Sequence, residues 1–200
     1  MKQKFLNFSL GLIKEKRKDI DDIKLDEIRY GLEGLYLTLT KFLIISLIAL
    51  ILGIFKEMAL LLLLFNILRR TGFGMHASKS SICLLSSGIV FLVLPLIAKL
   101  ITFPHYLKSI LGIIAIILIF KNTPADTIKR PLINKEKREK FKFITTIKCI
   151  IMCFCTLIIK YEYINNLIII AVYIEVVLTS PYVYKLFHLS YNNYLNYEAI

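Results

Sequence analysis

The feature that most constrains this chain is a series of apolar windows that carry almost no charge. A helix needs about 20 predominantly apolar residues to cross a hydrocarbon core about 30 Å thick. Apolar residues make up 57% of the 200-residue chain, more than a soluble domain of this size usually contains. We therefore predict an all-α, polytopic integral membrane protein with about six hydrophobic helical segments: Leu37–Phe55, Met58–Leu68, Ser80–Ala98, Tyr106–Phe120, Phe143–Ile159 and Tyr163–Ser180.

The second window is too short for an ordinary membrane crossing. Met58–Leu68 would extend only about 17 Å as an α-helix. It is predicted to be either a short, recessed span or one arm of a broken or re-entrant element.

The N-terminal region mixes basic and acidic residues up to Gly31 and lacks the uninterrupted apolar run of a cleavable signal. Phe5, Phe8, Leu12 and Ile13 recur at helical spacing beside lysines and arginines. This pattern predicts N-terminal amphipathic helices, which lie either in the lipid headgroup region or against the protein's own cytoplasmic face.

The chain is predicted to form a single domain, 1–200. Residues 1–36 would form the cytoplasmic or interfacial N-terminal helices, 37–180 the membrane region and 181–200 a cytoplasmic tail. A charged linker, Asn122–Lys142, interrupts the membrane region and contains Pro124 and Pro131.

The distribution of lysine and arginine predicts the orientation of the chain. Eight basic residues precede the first span, three lie in Arg69–Lys79 and eight in Lys121–Lys142, whereas the alternate loops contain one or two each. Because basic loops stay in the cytoplasm, a multi-pass cell-membrane protein is predicted, with both termini and the Arg69–Lys79 segment on the cytoplasmic side. The net charge of +12 fits attraction to the lipid bilayer, and no aromatic stacking surface accompanies it, so nucleic-acid binding is not predicted.

Three of the four cysteines, Cys149, Cys153 and Cys155, lie inside the fifth window. Cys149 and Cys153 share a helix face, but no histidine or acidic residue accompanies them. We therefore interpret them as packing residues and predict no metal and no cofactor.

The remaining cysteine, Cys83, follows a segment that is rich in reactive and basic groups: Arg69, Arg70, Gly72, Gly74, His76 and Lys79. A cysteine nucleophile acts as a thiolate, which basic neighbours favour, and a histidine can carry the proton. His76 and Cys83 would be about 10.5 Å apart on one straight helix, too far for a thiol–imidazole contact. If they cooperate, His76 must lie on a loop or bend that folds back towards Cys83.

These residues resemble the signature of the accessory gene regulator protein B (AgrB) family, in the form Arg69-Arg70-x-x-x-Gly74-x-His76-Ala77-x-x-x-x-x-Cys83. The resemblance extends over nearly the whole chain. It includes Leu94-Pro95-Leu96, the linker from Pro124 to Pro131, and Glu175 inside the last window.

The resemblance implies a membrane cysteine endopeptidase of peptide quorum sensing. Such an enzyme cuts the C-terminal segment from a pro-autoinducer peptide (an AgrD-like peptide) through a thioester and promotes thiolactone formation. His76 and Cys83 would be catalytic. Arg69, Arg70, Gly74 and Lys79 are the candidate substrate-binding residues, although the basic ones would serve equally as cytoplasmic anchors.

A small membrane transporter or channel is the alternative, because charged residues within spans often line pathways. Glu175 and Lys148 are such residues. Glu175 is expected to face away from lipid, with Lys148 as a candidate partner. A homodimer is also predicted, because Glu175 and the short second window both require protein neighbours.

Overall fold

The computed structural model of the chain describes residues 2–17, 21–75, 80–128 and 130–198. Within these ranges the regular structure is helical, and β-type pairing is limited to two isolated bridges. The helices are α1 (Lys2–Lys16), α2 (Asp22–Ile51), α3 (Phe55–Gly72), α4 (Ser80–Gly88), α5 (Leu94–Leu100), α6 (His105–Asn122), α7 (Lys135–Ile158), α8 (Glu162–Thr179), α9 (Pro181–Leu186) and α10 (Leu195–Glu198). A π-helical turn, Ile89–Val93, joins α4 to α5. The all-α prediction is confirmed.

Five helical segments among the described residues are long and apolar enough to cross a membrane. They are Ile23–Ile51 in α2, Ser80–Leu100 from α4 through α5, and the helices α6, α7 and α8. The chain is therefore a polytopic α-helical membrane protein, and most of each of the six predicted windows is helical.

The chain divides into two compact units, Met1–Ile48 and Ala49–Ile200. In the first unit, Lys2 pairs with Glu33 at 2.5 Å, and the ring of Phe5 packs on that of Tyr36 with 5.3 Å between centroids. Leu6 is buried on α1, whereas Phe8 on the same helix is 69% exposed. α1 thus has one face packed within its unit and leaves apolar side chains exposed elsewhere.

The second unit is a helical bundle in which α8 is the most enclosed membrane helix. Of its most apolar window, 61% is buried, compared with 22% for the corresponding windows of α6 and α7. Both α3 and α7 pack against α8, and Leu61, Leu68, Cys149, Leu167 and Val172 belong to one buried apolar cluster. Tight packing of this kind positions helix termini reproducibly, which matters for the site described below.

The two ends of this bundle are defined by separate sets of contacts. At one end, Glu57 at the start of α3 pairs with Lys99 of α5 at 2.7 Å. At the other end, the chain just after α3 bonds to Ala125, beyond α6, and to Leu178, near the end of α8. α3 therefore runs unbroken from one end of the bundle to the other, although it is not among the five helices that are apolar enough to cross a membrane.

Candidate functional site

The Cys83 side chain lies in the wall of a cavity within the second unit. The cavity has a volume of about 640 Å³ and lies between α3, the α4–α5 segment and α8. Cys83 is partly exposed and occupies the first turn of α4. The lining residues are Phe65, Arg69, Met75, Cys83, Ser86, Ser87, Val90, Phe91, Leu94, Ile170, Tyr173, Ile174, Val177 and Leu178. The thiol is thus accessible from a mainly apolar space large enough for a small ligand.

Arg69, at the end of α3, holds the chain segment that follows its helix. Its guanidinium donates to the carbonyl of Phe73 and, through Nη2, to those of Gly74 at 3.1 Å and Met75 at 2.6 Å. Three consecutive carbonyls therefore converge on one side chain whose donors form a rigid fork. Only 14% of this side chain is exposed, and it also lines the cavity that contains Cys83.

Gly74 is required for the shape of this segment. Its φ of +98° lies in the region that favours glycine. A Cβ at this position would lie 2.4 Å from Arg69 Nη1 and 2.6 Å from the carbonyl oxygen of Leu178. Gly74 N–H donates to the Ala125 carbonyl at 2.7 Å, and Met75 N–H donates to the Leu178 carbonyl at 2.9 Å. The predicted site residue Gly74 therefore fixes the backbone here.

The segment fixed in this way ends immediately before the predicted general base. His76 and Lys79 lie outside the described residues, so their predicted roles stay predictions. Met75, which precedes His76 in the sequence, lines the same cavity as Cys83. The chain is thus anchored at the cavity wall on both sides of 76–79, by Met75 before it and by α4 after it.

Glu175 is fully buried in α8, so the prediction that it faces away from lipid is confirmed. Its predicted partner was wrong. Arg69 is the nearby cation, with Nη1 3.8 Å from Glu175 Oε2, whereas Lys148 donates to the carbonyl of Ile67 at 2.9 Å and to Thr71 Oγ1 at 3.2 Å. Arg69 reaches Glu175 because Gly72 lacks a side chain: a Cβ there would lie 2.2 Å from Glu175 Oε1.

These neighbours bear on the predicted homodimer. α3 and Glu175 both find protein neighbours within the chain, so neither requires a second copy. The homodimer stays a prediction.

The family profile "Accessory gene regulator B" matches residues 7–179. The chain belongs to the accessory gene regulator B family. Membership indicates a role in accessory gene regulator quorum sensing.

Individual relatives of this family cover most of the chain. A putative AgrB-like protein from Listeria innocua is 34% identical over 92% of this chain and 90% of its own length. A putative AgrB-like protein from Clostridium acetobutylicum is 30% identical over 92% of this chain and 88% of its own length. Accessory gene regulator protein B from Staphylococcus aureus is 30% identical over 86% of this chain and 90% of its own length. No solved structure matches the chain.

The AgrB-family match ends at residue 179, but the residues beyond it contact the linker next to the site. Asp126, which is buried, accepts hydrogen bonds through Oδ1 from Asn193 N–H at 2.8 Å and through Oδ2 from Tyr194 N–H at 2.9 Å. Oδ2 also accepts from Leu132 N–H at 3.3 Å. One carboxylate thus joins the C-terminal segment to the linker whose Ala125 bonds to Gly74.

Two tyrosines of the C-terminal segment, the buried Tyr184 and the partly buried Tyr191, support the same linker. The Tyr184 hydroxyl donates to the carbonyl of Asp126 at 3.0 Å, and the Tyr191 hydroxyl donates to the carbonyl of Asn122 at 3.1 Å. Burial raises the pKa of Tyr184 above its usual range and that of Tyr191 to about 12, so both hydroxyls keep their protons at neutral pH. The region 181–194 is therefore packed structure that supports the linker.

Asp126 was not predicted to have a role, although the sequence contains a signal for it. Asp126 is the one acidic residue between Pro124 and Pro131, in a linker otherwise rich in basic residues. A single acidic residue in such a setting can mark a buried, hydrogen-bonded carboxylate. Its donors are mainly backbone N–H groups, which every residue type except proline supplies, so the sequence does not identify its partners.

Proposed function

We propose that this AgrB-family protein is a membrane cysteine endopeptidase that processes an AgrD-like pro-autoinducer peptide. The main support is that Cys83 lines the cavity together with Met75, the residue before His76. The resemblance of the Arg69–Cys83 segment to the family signature supports the same assignment. Transport is not favoured, because Glu175 and Lys148 both make contacts inside the protein.

The proposed reaction has two acyl-transfer steps. Cys83 Sγ attacks the scissile carbonyl carbon, the C–N bond breaks, and His76 passes the thiol proton to the leaving amine. The acyl segment remains bound to Cys83 as a thioester. The thiol of the peptide's own cysteine then attacks this thioester, forming the ring's thiolactone and returning a proton to the Cys83 sulfur. An apolar cavity suits this sequence because it limits hydrolysis while the tethered thiol attacks.

In the proposed topology, both termini and the Cys83 site lie on the cytoplasmic side of the cell membrane. The location of the basic residues at one end of the bundle supports this topology. Arg69, Arg70 and the basic linker lie at the end that carries Gly74, in agreement with the alternation of basic loops.

Mass spectrometry of the protein with its substrate tests the chemistry. We expect the full-length protein, incubated with an AgrD-like precursor peptide whose ring-closing cysteine is replaced by alanine, to gain the mass of the acyl segment and to release the C-terminal segment. Neutral hydroxylamine should remove the added mass, because it cleaves thioesters and leaves amides intact. Release of the C-terminal segment with no hydroxylamine-sensitive adduct on Cys83 would contradict the thioester step.

Lysine substitutions distinguish the roles of the two adjacent arginines. Arg69→Lys keeps the charge but loses the fork that holds the Phe73, Gly74 and Met75 carbonyls. A hydrogen bond to a charged group contributes about 1.5–3 kcal/mol, so we expect kcat/KM for cleavage to fall at least about tenfold. Arg70→Lys is the matched control, because Arg70 is exposed and a charged anchor tolerates lysine.

Thermal unfolding of both variants in detergent accompanies these assays. Equal losses of activity in Arg69→Lys and Arg70→Lys, with unchanged stability, would show that both arginines act as substrate anchors. In that case, holding the loop is not the main role of Arg69.

A further inference from the structure

The cavity beside Cys83 continues well beyond the thiol. On one wall it extends from Cys83 to Leu94, eleven positions along the α4–α5 segment, or about 16 Å at the helical rise. On the other wall it extends from Leu178 back to Ile170, eight positions along α8, or about 12 Å. The cavity is therefore a cleft that leads from the Arg69 end of the bundle along the membrane helices.

Most polar groups in the walls of this cleft already form hydrogen bonds within the protein. The Arg69 guanidinium is bonded to loop carbonyls, as described above. The Ser86 hydroxyl donates to the Cys83 carbonyl at 3.1 Å, and the Tyr173 hydroxyl donates to the Leu111 carbonyl at 3.0 Å. A ligand in the cleft therefore meets mainly carbon surface, which favours apolar side chains and strongly disfavours an ionised one.

We infer that this cleft binds the acyl part of the peptide, through apolar side chains on the N-terminal side of the scissile bond. The inference rests on the proposed function, because only then does Cys83 carry an acyl group. The acyl part stays attached to Cys83 after the first step, whereas the amine-bearing segment must leave towards water. An extended chain advances about 3.3–3.6 Å per residue, so a cleft of this length holds about four residues.

Val90 and Ile174 are the residues we assign to size selection. Val90 lies in the π-helical turn and Ile174 lies on α8, and both line the cleft on opposite walls. An added or missing methylene in an apolar pocket changes selectivity by about 10- to 200-fold. A larger residue at either position should therefore disfavour a bulky peptide side chain more than a small one.

The test compares synthetic precursor peptides in which one apolar residue before the scissile bond is replaced by alanine or aspartate. With the full-length wild-type protein, the aspartate peptide should be cleaved at least about 100-fold less efficiently than the parent. In Val90→Phe, the ratio of kcat/KM for the alanine peptide to kcat/KM for the parent peptide should rise at least about tenfold over the wild-type ratio. Ile174→Ala, which widens the cleft, should shift the preference the opposite way.

Val93→Phe is the matched control. Val93 belongs to the same π-helical turn, but it is 44% exposed and does not line the cleft. The preference of the Val93→Phe variant between the parent and alanine peptides should equal that of the wild type.

Two results would overturn the assignment. Unchanged peptide preference in both Val90→Phe and Ile174→Ala, with cleavage that still depends on Cys83, would mean that the cleft holds something else, such as a lipid chain or a second copy. The proposed function would survive that result. Absence of any Cys83-dependent cleavage by the wild type would instead overturn the proposed function, and this inference with it.

Discussion

Replacing Cys83 with serine is expected to abolish cleavage of the precursor peptide. The substitution changes one atom in the wall of the cleft, so the shape of the site is retained. A serine hydroxyl is far less acidic than a thiol, and one histidine activates it poorly outside a site built for that purpose. Removal of a nucleophile costs more than about 10⁴-fold in proteases, so product should fall below detection by mass spectrometry.

Cys155→Ser is the matched control for this experiment. Cys155 is also partly exposed, but it lies on α7 and does not line the cleft. The Cys155→Ser variant should cleave the peptide at the wild-type rate. Normal cleavage by Cys83→Ser would exclude a thioester on Cys83 as the intermediate.

The apolar windows predicted the order of the hydrophobic helices, and five of the six windows correspond to helices long and apolar enough to cross a membrane, but the helix ends depend on other forces. α7 was predicted to begin at Phe143, yet it begins at Lys135. Its first two turns are charged and largely exposed, and such turns are compatible with helix in water. Asn134 caps them by accepting a hydrogen bond from Lys137 N–H at 3.0 Å. Apolar windows mark where lipid or core packing is required, and helices extend beyond them.

The start of α2 illustrates the same limit. The first window began at Leu37, but the helix begins at Asp22 and runs on to Ile51 without a break. The boundary drawn between residues 36 and 37 therefore falls inside one helix.

The candidate site was predictable as a segment and unpredictable as a set of contacts. The glycines near Cys83 indicated a bend, and Gly74 does adopt a positive φ. The contacts of Arg69 could not be predicted in this way. Its hydrogen-bond acceptors include carbonyls of the segment that follows α3, and the anion beside it, Glu175, lies 106 positions away in the sequence. Residue identity does not encode which backbone carbonyl a side chain will meet. A buried carboxylate such as Glu175 indicates only that a partner exists.

The second large effect is expected from His76→Ala. Loss of a general acid–base typically costs about 10²- to 10⁴-fold, and here one group would have to take the thiol proton and protonate the leaving amine. The preceding residue, Met75, is fixed by its own N–H bond to Leu178 and by its carbonyl bond to Arg69, and neither bond involves a histidine side chain. The backbone of residues 73–75 should therefore keep its shape while cleavage, followed by mass spectrometry, falls by that factor.

Alkylation of Cys83 distinguishes lost chemistry from lost structure in this variant. In a chain whose other three cysteines are serine, Cys83 of His76→Ala should still react slowly with a small alkylating reagent, because the cleft stays open to it. His105→Ala is the matched control: His105 starts α6 at the opposite end of the bundle, so cleavage should be unchanged. Cleavage at the wild-type rate by His76→Ala would make His76 a structural residue. The proposed Cys–His mechanism would then lose its base, although the place of the chain in the family would stand.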